Sequence, residues 1–215
     1  MRKEDLKLYL VTDSDLANGK PLAEIIEAAI KGGVSMVQIR EKNSTTREFY
    51  ELIMSVKHIL KVYNVPLIVN DRLDIALAVD ADGLHIGQSD LPYKEARKIL
   101  GFDKIIGLSV ESIKQAREAN DLDVDYIGLS PVFSTQTKSD IAKPLGLDGI
   151  KEIASFSKHP CVAIGGINKN NLGSIIEAGA DGVALVSAII SQEYPEKAAR
   201  ELKKIIDSIM NEHIE

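Results

Sequence analysis

The residues able to do chemistry fall in short polar runs set within an otherwise apolar sequence. They are Gln38-Ile39-Arg40-Glu41-Lys42, Asn70-Asp71-Arg72, His85-Ile86-Gly87-Gln88-Ser89-Asp90, Ser109, Ser130-Pro131-Val132-Phe133-Ser134-Thr135-Gln136-Thr137-Lys138, Gly165-Gly166-Ile167 and Val186-Ser187. Arg40 can grip two oxygens at once, whereas Lys42 and Lys138 act as point charges. Asp71 and Asp90 offer hard oxygen ligands. Mg2+ is satisfied by one or two carboxylates with phosphate oxygens and water, so the pair suits that ion. The same two residues also suit helix caps, since Asp71 precedes a helical stretch and Asp90 precedes Pro92. Gly165-Gly166 admits close approach of backbone to a ligand, or is simply a tight turn. Val186-Ser187 opens a short helix whose first N–H groups lack internal acceptors, a natural seat for phosphate.

These runs need elements to hold them. Eight apolar, β-branched segments recur along the chain at 8–13, 36–40, 66–70, 83–87, 105–110, 126–132, 161–167 and 182–187. Most are apolar on both alternating sets of positions, as parallel strands covered on both faces must be. Amphipathic stretches alternate with them at 22–31, 46–63, 74–79, 93–100, 113–119, 147–157, 172–178 and 195–210. In the longest, Phe49, Leu52, Ile53, Val56, Ile59 and Leu60 form one helical stripe. Eight units in 215 residues average about 27 residues each, near the compact limit of the α/β class's (β/α)8 TIM barrel. A doubly wound open sheet also alternates β and α, but no Gly-x-Gly-x-x-Gly follows the first strand. The expectation is a single (β/α)8 barrel domain over residues 1–215.

In such a barrel the strand ends converge on one rim, where the chemistry resides. Asp71 and Asp90 then follow neighbouring strands about 5 Å apart, and Arg40, Lys42 and Lys138 reach the same rim. Three cations beside two carboxylates, in a chain of net charge −6, favour a metal-bound diphosphate over a pair of caps. Ala81-Asp82-Gly83 and Ala180-Asp181-Gly182 precede strands four and eight, where a structural turn role outweighs a ligand role. His85 lies inside an apolar strand and reads as a packed or hydrogen-bonded barrel residue rather than a general base. Cys161 sits at the strand's opposite end from the rim, as core. The polar segment 134–146 has the length of a lid or binding loop.

Composition bounds the partners. Twenty-six basic against thirty-two acidic residues argue against a general nucleic-acid binder. A single cysteine excludes an internal disulfide and a cysteine metal cluster. The N-terminus lacks the pattern of a signal peptide, and no stretch approaches the roughly 20 apolar residues of a membrane span. A cytoplasmic protein with no membrane partner is expected, and a homo-oligomer is compatible with the sequence.

Taken in order, these motifs closely resemble the thiamine phosphate synthase family, over essentially the whole chain from Leu8-Tyr9-Leu10-Val11-Thr12-Asp13 to the last helix. The resemblance implies a transferase that joins 4-amino-2-methyl-5-(diphosphooxymethyl)pyrimidine to a thiazole phosphate, both small molecules, releasing diphosphate. It implies Mg2+ on Asp71 and Asp90. Gln38, Arg40, Lys42, Asn70, Ser109 and Lys138 would hold the pyrimidine diphosphate, with Arg40, Lys42, Ser109 and Lys138 catalytic. Ile39, Glu41 and Gln136 belong to the same substrate-binding runs. Thr135, Thr137, Gly166, Val186 and Ser187 would line the thiazole phosphate site. Two rivals stand beside this: a thiazole phosphate tautomerase on the same barrel, and a non-catalytic sensor of thiamine precursors. Residue 111 is Glu rather than the His associated with the tautomerase.

Overall fold

Alternating backbone conformations close the sheet on itself. The computed structural model describes residues 1–134 and 143–212, with Glu212 described by its backbone only. Eight parallel strands pair in sequence order, and β1 (Leu8–Val11) bonds to both β2 (Met36–Ile39) and β8 (Gly182–Leu185). Between these run β3 (Leu67–Asn70), β4 (Gly83–Ile86), β5 (Ile105–Val110), β6 (Tyr126–Leu129) and β7 (Cys161–Ile164). The helices are α1 (Leu22–Lys31), α2 (Thr46–Tyr63), α3 (Leu73–Ala78), α4 (Tyr93–Leu100), α5 (Ile113–Ala119), α6 (Gly146–Phe156), α7 (Leu172–Glu177), α8 (Ser187–Ile190) and α9 (Pro195–Glu212). The expected (β/α)8 barrel is the fold. Six of the apolar runs extend past their strands at the C-terminal end, where single bonds such as Thr12 N to Gln38 O at 2.9 Å and Val132 N to Ile164 O at 3.0 Å still tie rim residues to the neighbouring strand.

Local chemistry sets the helix limits. Around α2, Thr45 Oγ1 accepts from Glu48 N at 3.3 Å while Glu48 Oε2 accepts from Thr45 N at 2.8 Å, a reciprocal cap. Asn64 ends the helix in the left-handed region at φ 54°. Phe49, Ile53, Val56 and Leu60 are buried, each side chain contributing about 1.5–3 kcal/mol.

The side chains divide into two apolar sets. A large set between strands and helices includes Leu8, Leu10, Val37, Ile39, Leu67, Val69, Leu84 and Ile86. A smaller set fills the barrel: Leu6, Tyr9, Val11, Met36, Ile68, Ile105, Tyr126, Val162 and Ala184. One alternation therefore supplies both layers.

The closed end explains the repeated Ala-Asp-Gly. Asp82 Oδ2 accepts from Leu67 N at 2.8 Å, Asp125 Oδ2 from Ile106 N at 2.8 Å and Asp181 Oδ2 from Cys161 N at 2.7 Å. Ser35 Oγ accepts from Leu8 N at 3.1 Å in the same way. Each polar side chain ahead of an even-numbered strand thus satisfies an N–H at the start of the strand before it. Glycine follows because a Cβ at residue 182 would lie 1.9 Å from Leu6 O. The motif is structural, as expected. Cys161, which burial pushes up to about 11, is an inert core thiol.

Replacing Asp181 by Ala is expected to lower unfolding stability by about 1–2 kcal/mol in urea titrations, by orphaning the Cys161 N–H. Asp181→Asn, which keeps an acceptor, should lose less; equal losses would remove the capping role.

Candidate active site

The barrel interior changes character along its axis. Met36, Ile68 and Ile105 make the lower layer apolar, whereas Gln38, Arg40, Asn70, His85, Ser109 and Ser130 line a cavity of about 450 Å3 above it. The strands lift these polar groups because inward positions recur every second residue: Met36, Gln38 and Arg40 on β2, Ile105, Gly107 and Ser109 on β5. The same spacing takes Ile39 outward into the apolar layer, where it is fully buried. Its side chain is a strand residue between two site residues.

Asp71 and Asp90 meet at one side of the mouth. Burial first, then hydrogen bonding to Asp90 and its charge, push the Asp71 carboxyl up to about 6. A hydrogen bond from Asn70 and the positive charge of Lys42 act the other way. Asp71 has a left-handed φ of 61°, within a turn in which Arg72 N donates to Asn70 O at 2.7 Å. Strained backbone of this kind is held by its surroundings, here by Asp71 N donating to His85 O at 2.8 Å. Asp90 Oδ2 accepts from Gly87 N at 2.6 Å, which fixes its carboxylate toward the rim. The capping alternative fails: α3 starts after Arg72 and α4 after Pro92, and neither has a side-chain cap bond.

This arrangement fits Mg2+. Two carboxylates that resist joint ionisation are relieved by a dication, and both are hard oxygen donors. Among the described residues no group of three or more His, Cys, Asp or Glu gathers to form an all-protein cage. The remaining positions would fall to phosphate and water.

Around the metal-compatible pair, Arg40 points to the cavity and its Nη1 lies 3.5 Å from Asp13 Oδ2, both side chains being mostly buried. Lys42 is exposed above, close enough to act on Asp71. Glu41 turns away from the cavity, accepting from Ser14 Oγ at 2.6 Å, and burial raises its carboxyl above the ordinary range. It closes the β1–α1 loop rather than lining the pocket.

The opposite wall is backbone. Gly165 and Gly166 have φ of 104° and 67°, which only glycine adopts freely. A Cβ at residue 166 would come within 2.8 Å of Phe133 Cβ, so the turn is also pressed against the strand-six loop. Its carbonyls are tied back: Phe133 N donates to Gly165 O at 3.1 Å and Asn171 Nδ2 to Gly166 O at 2.9 Å. A peptide N–H lies opposite its own carbonyl, so these bonds turn the Gly166 and Ile167 N–H groups the other way. Val186 and Ser187 open α8 beside them, and all four residues line the cavity. The reading of Gly165-Gly166 as a turn alone is too small, since the turn borders the pocket.

Thr135, Gln136, Thr137 and Lys138, with most of the expected lid, lie outside the described residues. Sequence reasoning passed over Tyr9, Tyr126, Asn168 and Asn171. The two tyrosines occupy inward positions of β1 and β6, and a phenol inside a narrow barrel was the available signal. Asn171 carries no signal in spacing, because its role is to hold a neighbouring turn.

With the geometry in place, the chain can be compared with known proteins. It matches the family described as thiamine monophosphate synthase over residues 8–189. A thiamine-phosphate synthase of Clostridium novyi is 52% identical over 199 residues, covering 93% of this chain and 98% of that protein. One from Syntrophomonas wolfei is 53% identical over 205 residues, covering 95% and 98%. The solved thiamine phosphate pyrophosphorylase from Pyrococcus furiosus superimposes with a TM-score of 0.89 at 40% identity, covering 97% of this chain and 98% of that one.

The acid pair carries an expectation that needs no substrate. The folded Asp71 holds its proton to about pH 6, against 3.8 ordinarily. The proton's contribution to stability is complete below about pH 4 and lost as pH rises through about 6. Asp71→Asn, which tolerates the same backbone, should therefore raise the Tm of metal-free protein by about 2–4 °C near pH 7.5 once solvent screening is allowed for. Near pH 4 the gain should vanish. An equal gain at both pH values, read by scanning calorimetry, would mean that burial and Asp90 do not raise the Asp71 carboxyl.

Proposed function

Since this chain belongs to the thiamine monophosphate synthase family, we propose how its own residues divide that family's work. It is a transferase that joins a pyrimidine diphosphate to a thiazole phosphate, giving thiamine phosphate and diphosphate. Near-half identity to synthases over almost the whole chain favours this over the tautomerase and sensor readings. The observation that carries the division of labour is the two-sided mouth: carboxylates with cations on one wall, glycine backbone and a helix start on the other.

On this reading the first wall takes the diphosphate. Asp71 and Asp90 would hold Mg2+, which would supply positive charge to the leaving diphosphate. Arg40 grips diphosphate oxygens while Lys42 and Lys138 add charge at the rim, strengthening as negative charge grows. Gln38, Asn70 and Ser109 orient the pyrimidine below. The second wall, with Gly166, Val186, Ser187, Thr135 and Thr137, holds the thiazole phosphate so that its ring nitrogen faces the pyrimidine methylene. The C–O bond to diphosphate breaks ahead of C–N bond formation, leaving a cation that the electron-rich pyrimidine stabilises. The cavity keeps water from that cation. No strong base is required, since the thiazole nitrogen attacks with its own lone pair and the product keeps the positive charge. No helix among the described residues is long and apolar enough to cross a membrane. The cytoplasm is the compartment that this reading proposes.

Purified protein given both precursors and Mg2+ should form thiamine phosphate, lose all activity in excess EDTA and recover it with Mg2+. Full activity in chelator would remove the metal role of Asp71 and Asp90; a shifted thiazole double bond without coupling would return the tautomerase.

Lys138→Ala should lower kcat by about 100-fold, as loss of a charge-stabilising donor does. Thiazole phosphate binding, followed by calorimetry, should change little. Comparable losses in both would move Lys138 off the diphosphate wall.

A further inference from the structure

The cavity floor carries five polar side chains joined end to end. Gln38 Nε2 donates to Tyr9 Oη at 2.8 Å, and Tyr9 Oη lies 2.9 Å from Tyr126 Oη. That hydroxyl is 2.9 Å from His85 Nδ1, and His85 Nε2 is 2.8 Å from Ser109 Oγ. The chain runs through β2, β1, β6, β4 and β5, spanning the barrel. Tyr9 and Tyr126 are sealed from solvent, and burial pushes both phenols far above their ordinary value, so each keeps its single proton. The strands leave space for this. A Cβ at Gly107 would lie 2.1 Å from Tyr126 Cζ and 2.6 Å from His85 Nδ1, and one at Gly128 3.2 Å from His85 Cε1.

Counting protons gives the chain a direction. An amide nitrogen can only donate, so Tyr9 Oη accepts from Gln38 and directs its own proton to Tyr126. Tyr126, having accepted, directs its proton to His85 Nδ1. A buried hydroxyl proton left without an acceptor would be costly, which excludes a proton on Nδ1. His85 is then protonated on Nε2 and donates to Ser109. Ser109 Oγ, already accepting, has its hydroxyl proton turned toward the cavity. At the other end Gln38 Oε1 takes no hydrogen bond from the described protein and lies at the cavity wall.

We propose that Tyr9, Tyr126 and His85 are positioning residues, a one-way hydrogen-bond chain that makes Ser109 a donor and the Gln38 carbonyl an acceptor toward the ring bound above them. Resting on the proposed function, this identifies a specificity device. A 4-aminopyrimidine presents an acceptor ring nitrogen and a donor amino group, whereas the 4-oxo analogue presents an acceptor where the amino group donates. Accepting the analogue would require the whole chain to invert together.

The first test needs no substrate. In protein labelled with 15N-histidine, the long-range 15N–1H spectrum should show one imidazole, absent in His85→Gln, with Nδ1 bare and Nε2 protonated. A proton on Nδ1 overturns the direction, whatever the reaction. The second test is kinetic. Tyr126→Phe, and Tyr9→Phe should that variant fold poorly, should raise KM for the pyrimidine diphosphate about tenfold. KM for the thiazole phosphate should stay within about twofold, and discrimination against the 4-oxo pyrimidine diphosphate should fall. Equal rises in both KM values, or unchanged discrimination, contradict a positioning role. Wild-type protein that forms no thiamine phosphate would sink the functional reading while leaving the tautomer result to decide the chain.

Discussion

Closing eight short parallel strands into a barrel forces a choice on every residue. Alternate side chains go outward to the helices or inward to a space only a few residues deep. The inward set is apolar where the barrel is sealed, and where it opens β2 to β6 turn polar or to glycine while β1, β7 and β8 keep Val11, Ile164 and Val186 on the cavity wall. Met36 leads to Gln38 and Arg40, Ile68 to Asn70, Ile105 to Ser109. Site and fold therefore share one constraint: a register shift of one residue would bury Ile39 in the pocket and turn Gln38 and Arg40 into the helix layer.

The electrostatics of the mouth follow from how few charges are spent there. The chain as a whole is acidic, so anion binding depends on local placement. Arg40 stands beside Asp13, and Lys42 above Asp71, leaving a mixed wall whose carboxylates repel until a dication joins them. Among the described residues the facing wall carries no ionised side chain. Its positive potential comes from backbone N–H groups that Asn171 and Phe133 aim by holding the paired carbonyls. One anion would be recognised by charge and the other by shape and hydrogen bonding, which lets two phosphorylated molecules enter a single cavity without exchanging places.

Much of this was legible in the sequence. Six of the eight strand starts were readable because the apolar runs follow Ser, Asp or Pro, β1 and β5 following Lys instead, and α2 because Thr45 and Glu48 sit at cap spacing ahead of an apolar stripe. The two walls were visible as polar runs at strand ends. Three things were not. Ile39 and Glu41 read as site residues because they interrupt Gln38, Arg40 and Lys42, yet alternation sends Ile39 outward and Ser14 draws Glu41 aside. The role of Asn171 depends on a turn geometry that no spacing encodes. The hydrogen-bond chain through Tyr9, Tyr126 and His85 joins strands 117 and 41 residues apart in sequence, so only the closed barrel brings them together. His85 read as a hydrogen-bonded barrel residue, but its partners could not be named.

The most direct test of the two-walled mouth is a crystal structure with Mn2+ in place of Mg2+, a non-reactive pyrimidine diphosphate analogue and the thiazole phosphate. The account expects an anomalous Mn2+ peak between Asp71 and Asp90 with diphosphate oxygens on it. It also expects the thiazole phosphate against Gly166 and Ser187. A metal bound elsewhere, or the two phosphorylated groups on exchanged walls, would contradict it.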